Sequence, residues 1–182
     1  MANLIRISGL LLAFLLLWGA GEAASYRNPE GQLTILSILA LLVLVALWAF
    51  VLLLAILPAI SIYAPEYGPL VSMKRAGFLA HWNPSKVQIL AYVGCSLGAT
   101  MYFFAVIYTM ISSYNVQAFN VPSDLGTSIY FSIVTIATVG YGDVVPLSAL
   151  ARFVVSIEIL TGMAYGVFFL SVIATFLRER PY

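Results

Sequence analysis

Charged residues are scarce in this chain. Of its 182 residues, 8% are Asp, Glu, Lys or Arg and 63% are apolar, whereas about a quarter of a soluble domain is usually charged. So few charges do not cover the surface of a soluble globule. The eight basic and seven acidic residues nearly cancel, which argues against a nucleic-acid partner. The composition indicates a multi-pass membrane protein.

Cysteine and histidine are almost absent as well. Cys95 is the single cysteine and His81 the single histidine. A disulfide within the chain needs two cysteines and a Cys/His metal site needs several such ligands, so neither is expected. No set of nucleophile and base stands out either, because Glu158 and His81 fall at different levels of the expected membrane. We therefore expect no enzyme activity and no cofactor.

Four long apolar stretches lie between the few charges. An α-helix needs about 20 apolar residues to cross the hydrocarbon core of a bilayer. The last three stretches meet this length, whereas the first is marginal. In order, the stretches are Ile7–Gly21, Leu33–Leu57, Val87–Ile111 and the run between Arg152 and Arg178. The fold class expected is an all-α membrane protein.

The first stretch has two interpretations. Residues 1–24 form either a retained transmembrane helix or a signal peptide, since Gly21-Glu22-Ala23 resembles a small-x-small cleavage site. Residues 25–63 then form a second hydrophobic helix. The chain has four transmembrane helices if the first is retained and three after cleavage.

The basic residues predict the orientation. Lys74, Arg75 and Lys86 fall within the predicted loop 64–86, and Arg178 and Arg180 follow the last apolar stretch. Positive residues favour the cytoplasmic side, so this loop and the C-terminus are expected there. The segment 112–147 contains no Lys or Arg and is expected outside. The expected location is a plasma membrane or a bacterial inner membrane.

The segment Thr127–Asp143 on the outer side is too polar to span the bilayer and too apolar for an ordinary loop. Irregular backbone at membrane depth is tolerated where protein or water surrounds it. The pattern predicts a re-entrant helix over 125–137, capped by Asp124 or Ser123. An extended return over 138–143 follows.

Residues Thr138–Gly142 read TVGYG and Asp143 follows them. This hexapeptide resembles the selectivity filter of potassium channels. The resemblance covers roughly Lys86–Arg180 and implies a pore domain over 87–182, with an outer helix 87–111, a pore helix 125–137, a filter 138–143 and an inner helix 149–177. Residues 1–85 have no counterpart in the two-helix form of that family, and their role stays open.

A physical argument that does not depend on the resemblance also explains why these residue types occur in this segment. A potassium ion that enters a pore exchanges its hydration shell for rings of backbone carbonyl oxygens. Gly140 and Gly142 lack the Cβ that resists the backbone conformations needed to aim successive carbonyls at one axis. The resemblance implies that K⁺, the permeant ligand, binds at Thr138, Val139, Gly140 and Tyr141. It also implies that four chains form a homotetrameric pore.

The resemblance places supporting residues beside the filter. Tyr130 and Phe131 occupy the positions of two bracing aromatic residues, and Tyr130 is expected to donate a hydrogen bond to Asp143. Phe131 has no polar atom and cannot bond the Tyr141 hydroxyl, which weakens the brace. Glu158 is an ionisable residue inside the inner helix and therefore faces protein or water. Two roles stay open for Glu158: support behind the filter, with Ser132 and Thr135 as partners, or a proton-sensitive gate.

The inner helix carries the expected gate. Gly162 lies where the family places a gating glycine, and it acts either as a hinge or, with Gly166, as a close-packing surface. By the resemblance, the cavity and gate are lined by Gly162, Met163, Gly166 or Val167, Leu170 and Ala174. No segment repeats Lys or Arg at every third residue, so no voltage sensor is expected.

The sequence thus predicts a passive, potassium-selective channel among membrane lipids. Two alternatives stay open: a poorly selective cation channel, suggested by Phe131, and a non-conducting or regulatory channel subunit. Association of the channel with an unidentified regulatory subunit also stays open. A transporter derived from channels is disfavoured, because such proteins carry four degenerate filters in one chain and this chain carries one intact filter.

Overall fold

A computed structural model describes residues 39, 42–53, 86–121 and 124–178, and these residues are helical apart from short connections. The helices are α1 (Leu42–Leu53), α2 (Lys86–Tyr114), α3 (Leu125–Ile136) and α4 (Ala149–Arg178). No strand occurs in these ranges, where Phe119 and Pro146 form an isolated bridge. The predictions for residues 1–24, most of 25–63, the loop 64–85 with His81, and Ser123 lie outside the described residues.

Two of the helices are long and apolar enough to cross a membrane. These segments are Val87–Tyr114 and Ala149–Ala174. Helices of this length rise about 40 Å, more than the roughly 30 Å of a hydrocarbon core. The chain is therefore a membrane protein with a helical fold in its described part.

The short helix α3 packs against α2 through a cluster of aromatic rings. The ring of Phe131 on α3 lies 5.2 Å from that of Tyr108 on α2 and 5.7 Å from that of Phe119, both edge-to-face. Tyr108 and Phe119 meet at 5.7 Å in the same geometry. Such edge-to-face contacts add to the gain from burying the rings. The cluster holds α3 against α2 and against the connection that carries Phe119.

The helix α1 packs against α2, and one tryptophan of α1 makes both a ring contact and a hydrogen bond there. Trp48 stacks on Phe103, with ring centroids 4.5 Å apart and planes 6° from parallel, and its Nε1 donates to Thr100 Oγ1 at 3.0 Å. The Thr100 hydroxyl donates its hydrogen to the Ser96 carbonyl at 2.8 Å. Tyr165 on α4, whose hydroxyl lies 3.1 Å from Thr100 Oγ1, therefore acts as a second donor. The Thr100 hydroxyl thus links α1, α2 and α4, and it uses both its one hydrogen and its two acceptor positions.

We expect Trp48→Ala to lower the unfolding midpoint of the protein in detergent more than Trp48→Phe does. Phenylalanine keeps the stack on Phe103 and loses the donor to Thr100, and a hydrogen bond within a membrane protein contributes on average about 0.6 kcal/mol. The control is Phe50→Ala on the same helix, because the Phe50 side chain is 50% exposed. An equal loss from Phe50→Ala would contradict the docking role of Trp48.

Candidate functional site

The helix α3 begins at a side-chain cap. Asp124 accepts a hydrogen bond from the backbone N–H of Thr127 at 2.7 Å and has extended backbone, as an N-cap residue does. The prediction of Asp124 as a cap is confirmed. The hydrogen bonds from Thr127 hold the pKa of Asp124 below its ordinary value. This cap fixes the first turn of the helix that precedes the TVGYGD segment.

The other end of α3 is closed by a Schellman motif. The N–H of Thr138 donates to the Thr135 carbonyl at 2.9 Å, and the N–H of Val139 donates to the Val134 carbonyl at 3.0 Å. Thr138 has a φ of 57°, the left-handed conformation this motif requires after the C-cap residue, Ala137. The first residue of the filter sequence is therefore also the residue that terminates the helix.

Positive φ recurs at every second residue from Thr138. Gly140 has a φ of 58° and Gly142 a φ of 79°, whereas Val139 and Tyr141 keep negative φ. Alternation in the sign of φ allows successive peptide groups to turn the same edge in one direction. A row of carbonyl oxygens that faces one axis requires such an alternation.

This alternation has a cost at one position. Thr138 is the sole residue with positive φ other than glycine in the described part of the chain, and the left-handed conformation costs an L-residue about 1–2 kcal/mol.

The side chains of Val139 and Tyr141 are 51% and 70% exposed in the single chain. The five residues from Thr138 to Gly142 are all exposed.

Two side chains hold the residue that follows the filter sequence. Tyr130 donates its hydroxyl hydrogen to Asp143 Oδ2 at 2.7 Å, the hydrogen bond expected from the sequence. Asn120 Nδ2 donates to the Asp143 carbonyl at 2.8 Å, and Asn120 Oδ1 accepts from the Val145 N–H at 2.6 Å. The Asn120 backbone N–H also donates to the Val145 carbonyl at 3.1 Å. Sequence reasoning missed Asn120, because it lies 23 residues before Asp143.

We expect Tyr130→Phe to raise the pKa of Asp143 toward its ordinary value. The Tyr130 hydrogen bond is the main reason that this pKa is low. A carboxyl group whose pKa is lower in the folded than in the unfolded protein stabilises the fold at pH values above its ordinary pKa. This stabilisation is lost as the pH falls through the folded-state pKa. In the variant this acid-induced loss should be smaller and should end at a higher pH, and NMR titration of the aspartates measures the underlying change in the Asp143 pKa. Tyr114→Phe, at an exposed tyrosine, is the control and should leave the Asp143 titration unchanged.

Behind α3, a carboxyl group is buried among the three helices. Glu158 on α4 has no exposed surface. Its Oε2 is hydrogen-bonded to the Tyr108 hydroxyl and its Oε1 to Ser132 Oγ. Ser132 was an expected partner, whereas Tyr108 lies 50 residues from Glu158 and was missed. Thr135 was the other expected partner, and its backbone carbonyl accepts the Thr138 N–H in the Schellman motif.

The helix α4 passes close to the end of α3 at Gly162. A Cβ there would lie 2.6 Å from the Ile136 carbonyl oxygen and 2.9 Å from Ile136 Cγ1. A Cβ at Gly166 would meet nothing within 4 Å. Of the two roles open for Gly162, the geometry favours close packing, against α3. The remaining expected cavity residues lie on one exposed face of α4, and they are Met163, Gly166, Leu170 and Ala174.

Comparisons with known proteins agree on one class. Residues 96–179 match a family model described as "Ion channel". A stretch of 59 residues, 32% of this chain, is 38% identical to probable potassium channel protein 2 of Methanocaldococcus jannaschii, covering 17% of that protein. A stretch of 103 residues, 54% of this chain, is 31% identical to two-pore potassium channel 1 of Arabidopsis thaliana, covering 28% of it. This chain therefore matches less than a third of either relative's length. No solved structure gives a significant match.

Proposed function

We propose that this chain conducts K⁺ selectively and passively, because residues 96–179 match an ion channel family model and the resemblance to potassium channel pores is confirmed by two potassium channel relatives. The observation that carries the proposal is the alternation of positive φ at Thr138, Gly140 and Gly142. It occurs in a TVGYGD segment between the end of α3 and the Asp143 hydrogen bonds.

The proposed ion sites are the carbonyl oxygens of Thr138, Val139, Gly140 and Tyr141, together with the Thr138 hydroxyl. Stacked carbonyls replace the water that a potassium ion sheds on entry. Gly142 ends the segment, and its positive φ extends the alternation toward Asp143. Passive conduction of this kind involves no chemical turnover.

One chain supplies one wall of such a pathway, so the proposal includes a homotetramer. Two observations support assembly: the filter residues are exposed in the single chain, and α4 leaves most of its apolar surface uncovered. Four copies around one axis would place the filter segments together and turn the exposed face of Met163 and Leu170 toward a central cavity. The C-terminus is proposed to be cytoplasmic, in a plasma membrane or bacterial inner membrane.

The supporting roles follow from the contacts. Tyr130 and Asp143 hold the outer end of the filter, and Phe131 and Glu158 hold α3 from behind. Gly162, Gly166 and Ala174 belong to the proposed gate and cavity. No helix that the structure describes repeats Lys or Arg every third residue, and we propose opening without a voltage sensor.

The test is ion flux into liposomes that contain the purified protein, with empty liposomes as the baseline. Potassium flux well above sodium flux supports the proposal. Equal fluxes of the two ions would indicate a poorly selective cation channel. The structural reason for that alternative is Phe131, which has no polar atom with which to brace the filter. No flux from a folded tetramer, together with copurification of a second channel polypeptide, would indicate a regulatory subunit.

A further inference from the structure

A closed polar cluster lies behind the pore helix, within the part of the fold that crosses the membrane. Its side chains are Glu158 on α4, Tyr108 on α2 and Ser132 on α3, and none of the three is exposed. A backbone oxygen completes it, since Ser132 Oγ lies 2.9 Å from the Met101 carbonyl oxygen on α2. The cluster contacts all three helices of the pore unit, and conduction does not use it directly.

The hydrogen atoms in this cluster can be counted. The Ser132 hydroxyl has one hydrogen, yet Ser132 Oγ contacts two acceptor atoms, Glu158 Oε1 and the Met101 carbonyl oxygen. Tyr108 uses its one hydroxyl hydrogen on Glu158 Oε2. If Glu158 were ionised, one of the two contacts of Ser132 would join two oxygen atoms with no hydrogen between them. A hydrogen on Glu158 Oε1 resolves this, because Ser132 then accepts from Glu158 and donates to Met101.

The charges around the cluster agree with this count. The hydrogen-bond partners of Glu158 in the described part of the chain are two neutral hydroxyl groups. Arg152 lies six residues earlier on the same helix, is exposed, and its Nε donates to the Pro146 carbonyl. A buried ionised carboxylate without a cation is strongly unfavourable, whereas a buried neutral group with all its hydrogen bonds made is tolerated.

We propose that Glu158 is a neutral carboxylic acid in the native protein and acts as the hydrogen-bond donor that positions α3 against α4. The contact passes through Ser132, six residues before Thr138 on the chain that enters the filter. Glu158 is thus a positioning residue for the proposed conduction and does not touch the ion. Its effect on flux rests on the proposed function, whereas its protonation state does not.

The first test is the infrared spectrum of the protein in lipid at neutral pH, subtracting the spectrum of Glu158→Gln. We expect the variant to lack the C=O band of a protonated carboxyl group. Loss of a carboxylate band instead would overturn the proposal. This readout depends on protonation and not on activity, so a protein without flux would overturn the proposed function and leave the spectroscopic result standing.

The second test compares two variants by unfolding midpoint and by flux. Gln donates from its amide to Ser132 and accepts from Tyr108, so Glu158→Gln should keep the wild-type midpoint and potassium flux. Glu158→Leu leaves the Tyr108 hydroxyl buried without a partner and should lose about tenfold in the folding equilibrium. A Gln variant as unstable as the Leu variant would contradict the donor role, and a Leu variant that fails to fold leaves the infrared test decisive.

Discussion

Gly162→Ala is expected to destabilise the protein and to abolish potassium flux. The added Cβ would lie 2.6 Å from the carbonyl oxygen of Ile136, a backbone atom that cannot rotate away. Overpacking of this kind typically costs about 1–3 kcal/mol. Ile136 ends α3, and Thr138 begins the filter two residues later, so any shift that relieves the clash moves the filter. Thermal unfolding and liposome flux measure the two effects.

The matched control is Gly166→Ala, one helical turn further along α4. Its Cβ would meet no atom of the same chain within 4 Å, and alanine is favoured over glycine in a helix interior by about 1 kcal/mol. This variant should be as stable as the wild type or more stable. If Gly162→Ala proves equally stable and only slows opening, Gly162 acts as a hinge and the packing role is wrong.

The features that the sequence predicted depend on neighbouring residues. Asp124 caps the helix three residues before Thr127, and Tyr130 bonds Asp143 thirteen residues later, within one short stretch of the chain. A helix start has a short sequence signature, and the TVGYGD motif fixes the order of residues along the filter. Both could therefore be found without a structure.

The features that the sequence did not predict depend on contacts between distant segments. Tyr108 is one of 11 tyrosines, and nothing in its surroundings marks it as the partner of Glu158. Trp48 meets Thr100 across 52 residues. The two roles of Gly162 could not be separated either, because the choice depends on where the Ile136 carbonyl lies. Tertiary packing, which no local pattern records, decides each of these cases.

The conformation of Thr138 could be predicted only in part from the sequence. Two glycines in the filter indicated unusual backbone conformations, but a β-branched residue normally avoids positive φ. The Schellman motif explains the exception, since the helix end needs a left-handed residue at this position. The proposed role of the Thr138 hydroxyl as an ion ligand gives a reason for threonine where glycine would be less strained.

Gly142→Ala and Gly140→Ala should abolish potassium flux while leaving the unfolding midpoint almost unchanged. Gly142 has a φ of 79° and Gly140 a φ of 58°, and a Cβ at either position would meet nothing within 4 Å of the same chain. The effect is therefore conformational, at about 1–2 kcal/mol per residue in the left-handed region. That is enough to favour a rotated peptide plane, which would turn a carbonyl away from the ion path. Flux and thermal unfolding are measured on the same preparations.

Gly126→Ala on α3 is the control for the filter variants. Gly126 lies in the helix near Asp124, has no positive φ, and would hold a Cβ at ordinary contact distance. Because alanine suits a helix, this variant should fold and conduct like the wild type. If Gly142→Ala conducts as well as Gly126→Ala does, positive φ is not needed for conduction. If it loses flux and stability together, the filter conformation contributes to the fold as well as to the ion path.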